Sequence, residues 1–238
     1  MTLKTQEYLG IQIDLYREKN LSDFSINTLQ NRYFWENETY AQQAFARAAI
    51  FGATYKKQTD YDLAQRLYNY ASLCWFMFST PILSNGGTTR GLPISCFLNY
   101  VPDSRFGLSD HYDENIWLAS AGGGVGGYWG DVRSNGTGTS NGSKSTGSIP
   151  FMHVVDSQML AFNQGVTRRG SYAAYMDINH PEVEEFIAMR KTTGGDLNRK
   201  CLNLHNGVNI TNEFLDAVKE DKDWRLIDPK SKEAVKSV

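Results

Sequence analysis

The sequence lacks the features that mark several classes of protein. Residues 1–7 have neither the basic nor the apolar region of a signal peptide. No apolar run approaches the roughly 20 residues that a membrane helix needs. The formal net charge is only -2, so no global attraction to nucleic acid or to an anionic membrane is expected. These absences favour a cytoplasmic globular protein.

Cysteine and histidine are also scarce. The three cysteines form no CxxC pattern, and an odd number in a reducing compartment argues against a disulfide scaffold. The four histidines fall at no metal-ligand spacing, so no metal site is predicted. Cys74 continues a helical apolar pattern and is predicted to lie in the core. Cys201 is predicted to have a structural role. Cys96 follows Ser95 in a polar segment, which leaves both a pocket thiol and a buried one open.

What is present is a chain of 238 residues, 41% of them hydrophobic, enough for one large domain or two small ones. Up to about residue 78 the apolar spacing predicts helices, with one helix starting at Ser22-Asp23, an alanine-rich one over 39–51, and a third over 61–77. After Pro81 the composition changes to glycine, serine, threonine and asparagine. The domains are therefore predicted as 1–78 and 79–238.

The second part alternates between strand and helix patterns. Strands are predicted at 94–101, 171–178, 207–211 and 224–227, and helices at 109–121, 150–162, 181–190 and 212–219. Such alternation predicts an α/β fold with a parallel sheet. Residues 230–238 are predicted to hold no closing element, so the sheet looks unfinished.

Two polar loops, 122–147 and 164–170, bracket the helix at 150–162. Gly122, Gly124 and Gly127 fit the G-x-G-x-x-G spacing, but a helical stretch precedes them and the acidic residue of a dinucleotide site is missing. The loops also carry arginines, namely Arg133, Arg168 and Arg169. Arginine and glycine-rich backbone together suit phosphate, although solvated surface arginine explains the same residues.

Four motifs occur in a particular order: TPILSNG at 80–86, SCFL at 95–98, GGGVG at 122–126 and QGVTRRGSY at 164–172. In this order they resemble the large subunits of ribonucleotide reductases, and the resemblance runs from about residue 6 to 228. It implies a ten-stranded α/β barrel made of two five-stranded halves. This chain would supply the helical N-terminal region and the first half barrel.

The resemblance also implies roles for individual residues. Cys96 matches the first cysteine of the redox pair that reduces the ribose 2' position and becomes a disulfide. Thr80, Ser95 and Gly124 match positions that bind the phosphates and ribose of the substrate. The radical-forming cysteine and the second redox cysteine belong to segments of the family that do not occur in this chain.

An effector site is implied as well. Asp103 would accept a hydrogen bond from the 3'-hydroxyl of a deoxynucleoside triphosphate or ATP effector, Ser104 would also bind the effector, and Arg133 would hold its phosphates. The helices at 109–121 and 150–162 resemble those that pair two large subunits in a dimer. Gln164 and Arg168 would contact the substrate base, and their loop would couple effector binding to the choice of substrate.

The resemblance finally implies partners. No cofactor is expected on this chain, and a dimetal cofactor is expected in a separate radical-generating small subunit, with a thioredoxin or glutaredoxin-type reductant. A C-terminal partner chain would complete the large subunit, because the barrel is only half present and the chain is expected to be a split or truncated form. The N-terminal ATP-binding domain that many relatives carry is not expected either. A non-catalytic nucleotide-binding regulator and an NAD-dependent dehydrogenase stay open as alternatives.

Overall fold

The computed structural model describes residues 4–162 and 170–238, in two compact units that divide between Ser95 and Cys96. The elements of the first unit are β1 (Thr5–Tyr8), β2 (Ile11–Asp14), a 3-10 helix (Leu15–Asn20), α1 (Asp23–Arg32), α2 (Ala41–Gly52), β3 (Thr54–Tyr55), β4 (Gln58–Thr59), α3 (Tyr61–Ser72) and α4 (Thr80–Asn85). Those of the second unit are β5 (Cys96–Tyr100), α5 (Arg105–Ser120), β6 (Gly124–Tyr128), α6 (Ile149–Ala161), β7 (Ser171–Asp177), α7 (Val183–Ala188), a 3-10 helix (Leu197–Arg199), β8 (His205–Asn209), α8 (Asn212–Lys219), β9 (Arg225–Ile227) and β10 (Ala234–Ser237). The predicted class, a helical region followed by a parallel α/β sheet, is confirmed.

The first unit is built on α2 and α3. The side chain of Ser22 accepts a hydrogen bond from the backbone N–H of Ser25 and caps α1, as the sequence predicts. The hairpin of β1 and β2 differs from the predicted all-helical start. Its turn residues, Leu9 and Gly10, both have positive φ, the geometry of a tight hairpin turn, and it buries Ile11 and Ile13.

The helix predicted over 61–77 ends at Ser72, and the predicted core position of Cys74 is wrong. The N–H of Trp75 donates to the carbonyl of Tyr70 and the N–H of Cys74 to that of Ala71. This Schellman motif places Cys74 in the left-handed region, at φ 60, and leaves it exposed. Helical spacing beyond the end of α3 therefore carried no information about burial.

Helix α4 belongs to the first unit. The guanidinium of Arg47, on α2, donates to the carbonyls of Leu83 and Gly86, which ties the end of α4 to α2. The units consequently divide at Ser95, later than the boundary at residue 78 that the composition suggested.

The second unit contains a four-stranded parallel sheet in the order β5-β6-β7-β8. Helices α5 and α6 pack against one face, where Val125, Tyr172, Ala174 and Met176 are buried. The opposite face is open along β5, where every second residue, beginning with Cys96, is exposed. One covered face and one open face thus distinguish the two sides of this sheet.

Strand β6 corrects the interpretation of 122–147 as one continuous loop. A Cβ atom added to Gly127 would lie 1.7 Å from the hydroxyl oxygen of Tyr172, so only glycine fits there. Gly124 and Gly127 lie inside a strand, rather than in the strand-to-helix turn that the dinucleotide fingerprint requires. The structure therefore contradicts a dinucleotide-binding turn at this position.

The last residues form a further element. Strand β10 pairs antiparallel with β9, so the prediction of no element over 230–238 is wrong. All four residues of β10 are exposed. The strand therefore does not need the alternation of apolar and polar residues by which a half-buried strand is predicted.

Candidate nucleotide site

A pocket of about 410 Å³ lies between the start of α5 and the glycine-rich segment that follows β6. Its wall includes the three predicted effector residues Asp103, Ser104 and Arg133, together with Lys144 and Phe151. Short polar side chains of residues 139–146 form much of the remainder. The pocket thus offers cations, hydroxyls and one aromatic ring, a set that suits a phosphorylated, ring-containing ligand.

Ser104 begins α5 at the pocket. Its side-chain oxygen accepts a hydrogen bond of 3.0 Å from the backbone N–H of Gly107 and so caps the helix. The helix starts at Arg105, four residues before the predicted start at 109, because this cap lies earlier than the apolar pattern. The amino end of a 16-residue helix carries partial positive charge, which favours an anion beside it.

Asp103 and Arg133 are partners in an ion pair. The Nε of Arg133 lies 2.9 Å from both carboxylate oxygens of Asp103, and Nη1 donates to the carbonyl of Gly138. The hydrogen bond with Asp103 raises the pKa of the Arg133 guanidinium above its ordinary value. A ligand phosphate would therefore approach an arginine whose orientation is already fixed.

The segment from Arg133 to Ser148 is fixed at both ends by buried carboxylates. Near its start, Asp228 accepts hydrogen bonds from Ser134 and Thr137. At its end, Glu182 accepts from the N–H and the hydroxyl of Ser148, at 2.7 and 2.9 Å. A backbone bridge joins Gly138 and Lys144 between them. This segment, called the clasp loop below, is therefore an ordered element.

Sequence reasoning did not identify Asp228 or Glu182. Asp228 precedes Pro229 and Glu182 follows Pro181, and neither acidic residue belongs to a recognisable motif. Their partners lie 94 and 34 residues away in the chain, a pairing that local patterns do not reveal.

Cys96 and Gly124 lie side by side at the starts of β5 and β6. Their Cα atoms are partners in the parallel register, and Cys96 is exposed. An exposed thiol beside a residue without a side chain leaves room for a substrate to approach the sulfur atom.

The remaining predicted substrate residues belong to the first unit. Thr80 is the first residue of α4, and its hydroxyl lies 3.4 Å from that of Tyr33. Ser95 is the last residue of that unit, directly before Cys96. Gln164 and Arg168, predicted to read the substrate base, lie outside the described residues.

A buried polar cluster lies on the covered side of the sheet. The Nε2 atom of His111, on α5, is 3.0 Å from both the Tyr172 hydroxyl and the Asn115 amide nitrogen. Trp129 donates to the same Tyr172 hydroxyl, and the buried Nδ1 of His111 has no hydrogen-bond partner among the described residues. Burial lowers the pKa of His111 to about 4, so this imidazole is neutral at neutral pH.

Residues 4–162 and 170–238 contain neither a membrane-spanning helix nor a cluster of metal ligands. No helix there is long and apolar enough to cross a membrane. Over the same residues, three or more His, Cys, Asp or Glu side chains nowhere gather as a metal site would require.

Known families match nearly the whole chain. Residues 19–91 match the family described as "Ribonucleotide reductase, all-alpha domain", and residues 94–238 match "Ribonucleotide reductase, barrel domain". In the solved class Id ribonucleotide reductase alpha subunit of Actinobacillus ureae, a similar fold covers 84% of this chain and 35% of that one, with a TM-score of 0.66 and 30% identity.

Curated relatives agree with this match. The putative ribonucleoside-diphosphate reductase large subunit of Frog virus 3 (isolate Goorha) is 55% identical over 170 residues, which are 71% of this chain and 29% of the relative. The large subunit of Invertebrate iridescent virus 6 is 42% identical over 231 residues, 93% of this chain and 22% of the relative. The chain thus spans under a third of these relatives, and it belongs to the ribonucleotide reductase large-subunit family.

Proposed function

We propose that this chain is the N-terminal part of a ribonucleotide reductase large subunit that converts ribonucleotides to deoxyribonucleotides under deoxynucleotide control. The observation that carries the proposal is the placement of the family's redox-cysteine motif: Cys96 is exposed on the open sheet face, opposite Gly124. The pocket that contains Asp103, Ser104 and Arg133 supports the regulatory half of the proposal.

Cys96 supplies one of two thiols in this scheme. Removal of the ribose 2'-hydroxyl as water consumes two electrons, and two thiols that become a disulfide provide them. The second thiol and the radical-forming cysteine come from the part of the large subunit that lies beyond this chain's residues. Thr80, Ser95 and Gly124 bind the substrate, and a thioredoxin or glutaredoxin-type protein reduces the disulfide.

The radical is generated by a dimetal cofactor in a separate small subunit. The described residues of this chain gather no set of metal ligands and do not fit such a centre, so no step here is assigned to it. A second copy of the large subunit pairs through α5 and α6, in accord with the exposed apolar side chains Phe106 and Trp117 of α5.

The redox role is tested with the completed enzyme: this chain, a polypeptide with the remaining length of the large subunit, a small subunit and a dithiol reductant. Cys96→Ser should abolish multiple turnover, whereas Cys74→Ser, at another exposed cysteine, should retain it. Unchanged multiple turnover of Cys96→Ser contradicts the redox role. Ribonucleotide reduction by this chain alone contradicts the need for a completing partner.

The effector role is tested by thermal shift. A ligand that binds only the folded state raises the melting temperature, so dTTP should raise it and NAD should not. Arg133→Ala should remove the shift, and Arg66→Ala, at an exposed arginine of the first unit, should keep it. An equal shift with NAD would favour a dehydrogenase instead.

A further inference from the structure

Asp228 connects the end of β9 to the clasp loop. The residue is fully buried, and its Oδ2 accepts hydrogen bonds from the N–H of Ser134 at 2.8 Å, the hydroxyl of Ser134 at 2.6 Å and the hydroxyl of Thr137 at 2.7 Å. Three donors from one short segment thus converge on a single oxygen atom.

The other carboxylate oxygen holds the turn between β9 and β10. Oδ1 accepts from the N–H of Lys230 at 2.9 Å and the N–H of Ser231 at 2.8 Å. All these partners are donors, so the position suits an ionised carboxylate, which only accepts. Burial alone would raise the pKa of Asp228, but the hydrogen bonds from Ser134, Ser231 and Thr137 hold it below its ordinary value.

The anchored segment carries the arginine of the pocket. Ser134 directly follows Arg133, whose backbone N–H and side chain both bond to Asp103. The negative charge of Asp228 also contributes to the raised pKa of the Arg133 guanidinium. The geometric link from Asp228 to Arg133 therefore runs through the backbone of Ser134.

We infer that Asp228 is a positioning residue of the proposed effector site: it holds residues 133–137 so that Arg133 presents its guanidinium to the phosphates of a deoxynucleoside triphosphate. The inference rests on the proposed function of the pocket. Asp228 touches no nucleotide in this arrangement, and its effect on affinity passes through Ser134 and Thr137.

The test measures dTTP binding to the full chain by calorimetry. Asp228→Asn places an amide N–H₂ among donors, so the loop should shift and the Kd for dTTP should rise at least tenfold. Thr137→Val removes one donor without changing side-chain shape and should raise the Kd about threefold to tenfold. Thr137→Ser restores the hydroxyl and should bind like the wild type. Asp216→Asn, at an exposed aspartate of α8, is the matched control.

A second control separates positioning from general stability. Met189→Ala removes buried apolar volume elsewhere in the same unit and should lower stability while leaving the Kd unchanged. Should Asp228→Asn fail to fold, the Thr137→Val and Thr137→Ser pair decides the question.

The outcomes separate the two proposals. A wild-type chain that binds no dTTP overturns the effector site itself. A wild-type chain that binds dTTP, with Asp228→Asn or Thr137→Val binding equally well, overturns only the positioning role. Increased hydrogen exchange over 134–146 in Asp228→Asn, with unchanged exchange in β5 to β7, is the expected structural counterpart.

Discussion

Arg47 carries a positive charge inside the first unit, where only 4% of the residue is exposed. Its guanidinium donates to both carboxylate oxygens of Glu38 and to the carbonyls of Tyr33, Leu83 and Gly86. A charge in the core is tolerated only when its partners replace water, and here the partners also join α2 to α4 and to residues 33–38.

Replacement of Arg47 should therefore be costly. Arg47→Met leaves the Glu38 carboxylate, whose side chain is 2% exposed, without its counter-charge, and we expect a loss of about 3–5 kcal/mol in the free energy of unfolding. Urea titration measures it, with Arg66→Met on the exposed side of α3 as the control. The double variant Arg47→Met/Glu38→Gln should recover part of the loss, and a cost below about 1 kcal/mol for Arg47→Met would contradict this account.

His111 should make stability depend on pH. Burial lowers its folded-state pKa to about 4, against 6.5 in the unfolded chain, so the unfolded state binds more protons between these values. The stabilisation is complete above pH 6.5 and declines as the pH falls towards 4. We expect a loss of about 2 kcal/mol between pH 6.5 and 4.5.

The comparison that isolates this contribution is His111→Gln, whose side-chain oxygen can still accept from Tyr172 and Asn115. Urea titrations of both proteins at several pH values should show a flatter pH dependence for the variant. Parallel pH curves for the two proteins would exclude His111 as the source.

Cysteine shows what single residues reveal in a sequence. Helical spacing predicts that Cys74 lies in the core, but the Schellman motif at the end of α3 leaves it exposed. Cys96 looked ambiguous by itself, and only the order of motifs around it suggested a redox role, which stays a prediction. Local composition therefore says little about a lone thiol, whereas a family pattern says more.

At the scale of elements, the clasp loop depends on glycine where it joins α6. Gly147 has a φ of +83°, and an added Cβ would lie 1.9 Å from Oε1 of Glu182. The carboxylate of Glu182 accepts a hydrogen bond from the N–H of Ser148. Gly142 has nearly the same φ, +81°, but no atom of the described residues lies within 4 Å of its added Cβ. The two glycines share the left-handed backbone conformation, but an added Cβ meets a close neighbour only at Gly147.

Gly142→Ala should cost about 1–2 kcal/mol, the penalty of a left-handed alanine. Gly147→Ala should cost about 1–3 kcal/mol more, because the methyl group must displace the buried Glu182 carboxylate. Chemical denaturation of the two variants measures the difference directly. Equal losses would mean that Glu182 moves freely, which would contradict its role in fixing the loop.

Elements with side-chain periodicity were predictable, and those without it were not. Strand β7 and helix α8 lie almost where the alternation and the helical spacing predicted them. Strand β6 was missed because four of its five residues are Gly124, Val125, Gly126 and Gly127, which carry little apolar pattern. The room beside these glycines is filled by side chains of neighbouring strands, such as Leu98 and Tyr172. That information resides in the tertiary structure.

At the scale of the whole molecule, the order of motifs identified the family across both units, because such an order is far more specific than any one motif. The long-range anchors of the candidate nucleotide pocket could not be predicted in the same way. Asp228 and Ser134 are 94 residues apart, and nothing in either local sequence marks them as partners. Fold class was therefore predictable, whereas the parts that fix the site were not.

The two units have separate cores, and the candidate nucleotide pocket lies wholly in the second one. Its lining residues fall between Asp103 and Phe151, and Asp228, which anchors the clasp loop, belongs to the same unit.

A fragment of residues 96–238 is within the usual size of an independent domain. We expect it to unfold cooperatively in urea and to bind dTTP with a Kd within threefold of that of the whole chain. Calorimetry makes the comparison, and Asp228→Asn in the same fragment should weaken binding as it does in the whole chain. A folded fragment with a tenfold weaker Kd would mean that the first unit contributes to the site, contrary to the pocket's lining.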